Sequence, residues 1–520
     1  MEEESLRSRR NPSGVRWRKR SPARRSSWLI LDPIVHRSRR LHGVVEGDAT
    51  TSATSHDCVG RQIRASLRVA AAPAVSRLHL HLPDREWVEE IPLVEPMEEP
   101  SVIAAHCNSI LFKVVVPFKD SEWSDPLLFP VDYFVYSAAS SSFSPPSLTR
   151  LPACFEGVAA HPDKDKYFHP YRRQRQRVML DDELGLLCHG ENGEFTVADL
   201  SPHSHREVEL CILHHHHAPP GVDTPSWKVK RLQITPHMRM TGLNLVKFRT
   251  DVVLPISGRF LCWVDYYQGM LLVDFLQQPT DDPDDDHKLS FIPLPSEALR
   301  SRRPYIDEGD PDPFRCVCVT SAGIIKLVCI TKSRVDSDSH LDFTIETWTL
   351  DIGRGKWQKD FGATMKHGEF FNLLYGAGQN LPQVMPSFPL VSMVDPDVIS
   401  FLLKDDDDIF WMIEVNMWHK KLQSSAVYIK EEEEEEEAEG DQGYFSKKVC
   451  RIFFDGHYFI PSQFSAYLSE FTITSWELSD MMQKKVKRSM AKQKKKQRMA
   501  KQKSGVEEPS KLFSVLKLKM

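Results

Sequence analysis

The sequence predicts an all-β protein, a propeller-like array of antiparallel strand sets forming roughly five blade-like units. Three observations predict it. Short runs of alternating apolar and polar residues recur between Trp28 and Ile429, with turn residues between them. Prolines outnumber glycines, 35 to 24, which suits a loop-rich fold and argues against a helical bundle or a doubly wound sheet. An apolar signature repeats at Leu187-Cys188, Leu261-Cys262 and Val328-Cys329, with Phe401-Leu402 in the matching place, at spacings of 74, 67 and 72 residues. Each is followed by a strand that runs into Asp or Glu, as at Asp199, Asp274, Asp351 and Glu414, and self-similarity at such a period fits blades with long outer loops.

The elements follow in order. Trp28-Leu-Ile-Leu-Asp-Pro33 reads as a short strand stopped by Asp32-Pro33. Residues 66–71 and 77–82 alternate, with Leu78, Leu80 and Leu82 on one face and His79 and His81 on the other. Residues 101–105 and 109–116 pair around Asn108, followed by 131–137 and 147–151. Residues 184–189 and 194–199 flank Gly190–Gly193, a hairpin signal; 207–213 and 227–234 complete that set. A third set is 252–255, 259–266, 270–275 and 289–294. A fourth is 314–320, 324–330, 343–350 and 356–359, and a fifth is 398–403, 409–415 and 421–429. Helical signals are few. Ser296–Arg300 makes one turn, and Trp476–Lys503 is the one long helix former, rich in Lys, Met, Gln and Ala.

Charge divides the 520-residue chain. Its net charge of −5 conceals +8 on residues 1–40 and +12 on residues 484–520, which leaves −25 on the acidic body between them. Residues 1–27 have too few apolar side chains to offset ordering entropy and read as a disordered basic segment. Residues 28–470 read as the β-rich body, interrupted by an acidic disordered insertion at about 430–442 that contains the run Glu431–Glu437. Residues 476–520 read as a Lys-rich, helix-prone tail. The ten cysteines are scattered, several inside apolar runs, as reduced thiols used as small hydrophobes would be. With a Met-Glu-Glu-Glu start and no apolar run near 18–20 residues, the expectation is no membrane contact and a nuclear or cytoplasmic location.

Trp263-Val-Asp265-Tyr-Tyr-Gln-Gly269-Met-Leu-Leu-Val-Asp274, followed by Phe291-Ile-Pro293-Leu-Pro295, has its own physical reading. Trp263 and Asp265 share one strand face, Cys262 and Val264 the other. Gly269 closes a turn, and Leu271 and Val273 supply the buried face of the return strand. This stretch resembles the plant family of domains of unknown function numbered 1618, which is expanded in cereals. The resemblance extends to Trp28–Pro33, the run from Phe314, Gly323-Ile-Ile-Lys-Leu-Val, Trp348 with Trp357, and Asp455–Pro461, so it spans roughly residues 28–470. It implies a β-rich, propeller-like protein and carries over no catalytic residue. The motif residues Trp263, Asp265, Gly269, Asp274, Pro293 and Pro295 are therefore expected to be structural.

Motifs for chemistry are missing: no Gly-x-Ser-x-Gly, no P-loop, no Gly-x-Gly-x-x-Gly and no His-Glu-x-x-His. His214–His217, with Cys211, His203 and His205 nearby, could bind zinc or nickel, but consecutive histidines in a strand alternate faces. Cys316 and Cys318 share a strand face without two further ligands. The acidic runs Asp281–Asp286 and Asp405–Asp408 lack EF-hand spacing. No cofactor and no metal are expected. The expected function is a non-enzymatic scaffold that binds a protein partner through its loops. One alternative is a nuclear protein touching nucleic acid weakly through its basic ends. Another is an enzyme whose site assembles from blade loops, with Asp265, His189 and Asp199 as its polar candidates.

Overall fold

A computed structural model describes residues 28–38, 51–81, 100–116, 129–138, 145–155, 176–177, 179–190, 193–216, 225–275, 287–300, 314–332, 342–376, 381–405, 409–429 and 459–468. The segments 1–27, 430–442 and 476–520 lie outside the described residues. So do Asp281–Asp286, His217 and most of Asp405–Asp408.

The described residues form six small sheets arranged as a propeller, one more than the strand sets suggested. Blade 2 comprises Ser101–His106, Ser109–Val115, Val131–Ser137 and Ser147–Arg150. Blade 3 comprises Leu184–His189, Glu194–Pro202, Glu207–His215 and Lys228–Gln233. Blade 4 comprises Val252–Ile256, Phe260–Asp265, Gly269–Asp274 and Leu289–Pro293. Blade 5 comprises Arg315–Val319, Ile325–Lys332, Phe343–Asp351 and Lys356–Lys359, with Met365–Lys366 also on the third strand. Blade 6 comprises Ser387–Val391, Val398–Lys404, Phe410–Asn416 and Lys421–Ile429. Each is an antiparallel meander from an inner to an outer strand.

Blade 1 is the additional unit, and it is assembled differently. From the inside outward it runs Ile460–Ser462, Leu29–Leu31, Val75–His81, Gln62–Arg68 and Ala53–His56. Leu29–Leu31 pairs antiparallel with Ile460–Ser462 and parallel with Val75–Ser76. The two distant parts of the chain thus complete one sheet and close the ring. Three-residue strands show no alternation, so blade 1 merges with blade 2 when the sequence is read alone.

Inner strands of successive blades lie side by side from Ile460–Ser462 through Ser101–His106, Leu184–His189, Val252–Ile256 and Arg315–Val319 to Ser387–Val391. The repeat read from Leu187-Cys188 is therefore one strand out of register. Cys188 belongs to an inner strand, whereas Cys262, Cys329 and Phe401 lie on second strands.

The core fills the spaces between blades, not one face of each sheet. In blade 4, Trp263, Leu271 and Val273 pack toward blade 3, while Cys262, Val264, Met270 and Leu272 pack toward blade 5. Every residue of Gly269–Asp274 is buried, so the return strand has two buried faces where one was expected. A blade held between two neighbours leaves no solvent face on its inner strands. Of the helices described, Ser296–Arg300 is the expected single turn. His367–Gly376 was not expected; it buries Phe370 and Leu374, and Phe370 meets Phe343 and Phe401 at 5.7 and 5.8 Å.

Candidate functional site

The family-motif residues build the second hairpin of blade 4. Trp263 is fully buried, and its indole N–H donates to the Glu183 carbonyl of blade 3 at 2.7 Å. Asp265 ties the turn: its carboxylate accepts from the Tyr267 N–H at 2.7 Å, the Arg249 N–H at 3.1 Å and the Gln268 side-chain amide at 2.8 Å. Gly269 pairs with Asp265 and Pro293, and a Cβ there would collide with the Ile292 carbonyl oxygen and lie 2.7 Å from the Phe291 ring. The cross-strand neighbour therefore requires glycine. Asp274 accepts from Arg259 Nε at 2.9 Å, and the Pro293 carbonyl accepts the Trp357 indole N–H at 3.0 Å, joining blades 4 and 5. The Pro295 carbonyl accepts from the Leu299 N–H and starts the short helix. These contacts hold the turn, the blade's own strands or a neighbouring blade.

The three polar residues considered for a loop-built enzyme site do not converge. Leu184 pairs with Asp199 and His189 with Glu194, so Asp199 and His189 occupy opposite ends of one hairpin, while Asp265 belongs to the next blade. Asp199 lies 3.4 Å from Arg177 Nε, and Arg177 also holds Glu209. Burial pushes the Asp199 carboxyl up to about 6 despite this partner, and its Oδ1 is buried without a hydrogen bond among the described residues.

A different cluster forms where blades 2 and 3 meet. Cys107 and Asn108 make the two-residue turn between the inner two strands of blade 2. Cys107 has φ +50°, the left-handed conformation that a first turn position usually gives to glycine and that costs a non-glycine residue roughly 1 kcal/mol. The Cys188 N–H donates to His106 Nδ1 at 2.9 Å. A neutral imidazole with an accepting Nδ1 carries its proton on Nε2, and Nε2 lies 3.6 Å from Cys107 Sγ. Cys188 Sγ donates to the His106 carbonyl at 3.1 Å, which places it beside Cys107. The neighbouring Cys188, then His106 and Tyr467, hold the Cys107 thiol well below its usual range against the opposing effect of burial. The same contact and burial push Cys188 up. Neither Cys107 nor His106 stood out in the sequence, because their partners come from another blade.

Next to this pair, the Thr196 hydroxyl bridges His189 Nε2 at 2.6 Å and His214 Nδ1 at 2.8 Å. The histidine tract divides as its strand requires: His214 reaches Thr196, His215 stacks on Phe195 at 4.6 Å, and His216 lies 3.9 Å from Glu194. Among the described residues no three His, Cys, Asp or Glu side chains are grouped as a metal ion would need. Cys316 and Cys318 have sulfurs 3.1 Å apart and pack against the blade 5–6 core.

Burial holds the His214 imidazole down to about 4. A group depressed in the folded state contributes stability that is complete above its unfolded value near 6.5 and is lost as pH falls through the folded one. His214→Gln is therefore expected to lose about 1–2 kcal/mol less stability than the native chain between pH 7 and pH 5, with partial exposure discounted. Urea unfolding at the two pH values measures this, and equal losses would contradict it. Asp199, raised by burial, acts with the opposite sign: its contribution is lost as pH rises from about 4 to about 6, in both chains alike.

A second feature lies on the outer rim. Helix His367–Gly376 and the outer strand of blade 6 enclose a groove of about 390 Å³ lined by Asn372, Leu373, Lys420, Lys421, Leu422 and Ser424 among others. Tyr375, on this helix, is 83% exposed, and Trp418, on the turn entering the strand, is 58% exposed. Trp418 lies on Gly362, beside Phe361, which is 81% exposed, and Lys420 anchors the turn to Glu369 of the helix.

Among solved structures, the chain is similar to a protein assigned as a 6-phosphogluconolactonase from Bacteroides uniformis, at 10% identity and TM-score 0.31, covering 72% of this chain and 82% of that one. It is similar to a polysaccharide lyase family 25 ulvan lyase, at 8% identity and TM-score 0.28, over 78% of this chain and 86% of that one. A lectin from Burkholderia pseudomallei matches at 9% identity and TM-score 0.26, over 74% of this chain and 99% of that one. Such scores carry no argument about function, and the propeller rests on the sheet topology. No curated protein matches the sequence. The model of the family described as "Protein of unknown function (DUF1618)" matches residues 263–400, from the buried Trp263 of blade 4 to the second strand of blade 6. The similarity to the DUF1618 family thus covers this part of the chain and the motif it opens with.

Proposed function

We propose that the protein is a non-enzymatic interaction module, and that the rim between blades 5 and 6 receives a short segment of a protein partner. The observation that carries this reading is the exposure of Phe361, Tyr375 and Trp418 on the blade 5–6 rim, whose helix and outer strand also line the groove. Exposed aromatic side chains grouped at a concave surface are the usual anchors of protein recognition. Lys421 at the groove favours an apolar anchor flanked by an acidic residue in the partner. The motif contacts and the separation of Asp265, His189 and Asp199 support binding over turnover.

Site-specific photo-crosslinking tests the reading. A photoreactive residue at Tyr375 in the full chain is expected to yield a discrete adduct that the same residue at Val229, exposed on blade 3, does not. Trp418→Glu should reduce the Tyr375 adduct at least fivefold with an unchanged unfolding midpoint. Identical adducts from both positions, or none from Tyr375, would refute it.

A further inference from the structure

Cys107 is the unexplained residue of the blade 2–3 junction. A two-residue turn whose first position has φ +50° would be relaxed by glycine, yet a cysteine stands there. Its sulfur lies 3.6 Å from His106 Nε2 of blade 2 and has Cys188 of blade 3 and Tyr467, which follows the closing strand of blade 1, as neighbours. Two other thiol pairs provide a contrast. Cys154 and Cys211 lie 3.6 Å apart but are both buried, and Cys316, partly exposed, packs with Cys318 against the blade 5–6 core. Cys107 is partly exposed and next to an imidazole whose proton is placed on Nε2 by the Cys188 N–H. A thiol that is accessible, has hydrogen-bond donors and touches a second thiol combines the features of a peroxide-sensitive site.

We propose that Cys107 and Cys188 are a dithiol site for small hydroperoxides, Cys107 being the attacking sulfur and Cys188 the resolving one. The Cys107 thiolate attacks the terminal oxygen of the hydroperoxide; an S–O bond forms, the O–O bond breaks, and the departing alkoxide takes a proton to leave as an alcohol. Cys107 is then a sulfenic acid. The Cys188 sulfur attacks the Cys107 sulfur and gives up its proton; the S–S bond forms, the S–O bond breaks, and the hydroxide leaves with that proton as water. Two thiols and one hydroperoxide become one disulfide, one alcohol and one water. The thiols are oxidised and the peroxide is reduced. The product joins the inner strands of blades 2 and 3, which no backbone ladder connects.

The test uses the full reduced chain and one equivalent of hydrogen peroxide, with peptide mapping under non-reducing conditions. A Cys107–Cys188 linked peptide is expected to form at least tenfold faster than any other cysteine oxidation. The rate of sulfenic acid formation on Cys107 should change less than threefold between pH 8 and pH 6, where an ordinary thiol would slow roughly 100-fold. Cys188→Ser should stop at a sulfenic acid that dimedone traps on Cys107. Cys107→Gly, which relaxes the turn, should keep the unfolding midpoint at or above that of the native chain and lose the linked peptide. Linkage of Cys154 to Cys211 or of Cys316 to Cys318 ahead of it would overturn the proposal, as would an ordinary pH dependence or dimedone capture elsewhere.

Discussion

Phe464→Ala is expected to cost about 3–5 kcal/mol, a large part of the 5–15 kcal/mol typical of a folded domain. Phe464 is fully buried, follows the closing strand Ile460–Ser462, and stacks on Tyr136 of blade 2 at 5.6 Å. Tyr136 in turn donates its hydroxyl to the Thr51 carbonyl at the edge of blade 1. On the other side of the closure, Phe459 meets Tyr428 and Phe388 of blade 6 at 5.1 and 6.4 Å. Residues 459–464 thus seal both interfaces of blade 1. In a closed ring, releasing them uncovers two blade faces at once, whereas a linear array would lose one. Removing residues 459–468 is accordingly expected to abolish cooperative unfolding, and the point variant to lower the urea midpoint without changing the secondary-structure content of the folded state. A stability loss below about 1 kcal/mol for Phe464→Ala would show that the ring is closed by other contacts.

Much of this fold was legible because blade strands alternate or run continuously apolar, and because glycine punctuates their turns, as at Gly190 and Gly193, both with positive φ. The parts that were not legible have identifiable causes. Ser387–Val391 carries Pro389 and a bulge with Phe388 at φ +47°, which disguise it as a loop; as an inner strand it has only one ladder neighbour, so proline is tolerated there. The closing blade depends on a pairing between Leu29–Leu31 and Ile460–Ser462 that no local pattern encodes. The site followed the same division. Asp265 and Gly269 were visible as a motif, since turn, carboxylate and return strand are contiguous. The contact between Cys107 and Cys188 exists only once two blades are side by side.

Trp263→Ala is expected to cost about 4–6 kcal/mol, more than a simple cavity, because two penalties combine at one place. The first is packing. The indole fills the space between blades 3 and 4 in contact with a cluster that includes Leu187, Val253 and Leu271, and that interface has little freedom to collapse. A single methyl added at Gly185, in the same interface, would come within 2.5 Å of Val253. The second is polar. Glu183 lies on the turn that leads into the inner strand of blade 3, and its carbonyl accepts the indole proton. Removing the donor leaves that carbonyl short of a partner, at roughly 1–3 kcal/mol. Trp263→Phe separates the two effects, since it keeps most of the ring volume and removes the donor; about 2–3 kcal/mol is expected for it. Urea unfolding of both variants checks the division. Equal losses would mean that the hydrogen bond dominates and the interface repacks. A loss below about 1 kcal/mol for Trp263→Ala would remove the physical reason for a tryptophan at the head of the motif. The expected order, Ala well below Phe and Phe below the native chain, follows from a side chain that fills one blade interface and ties it to the backbone of the neighbouring blade.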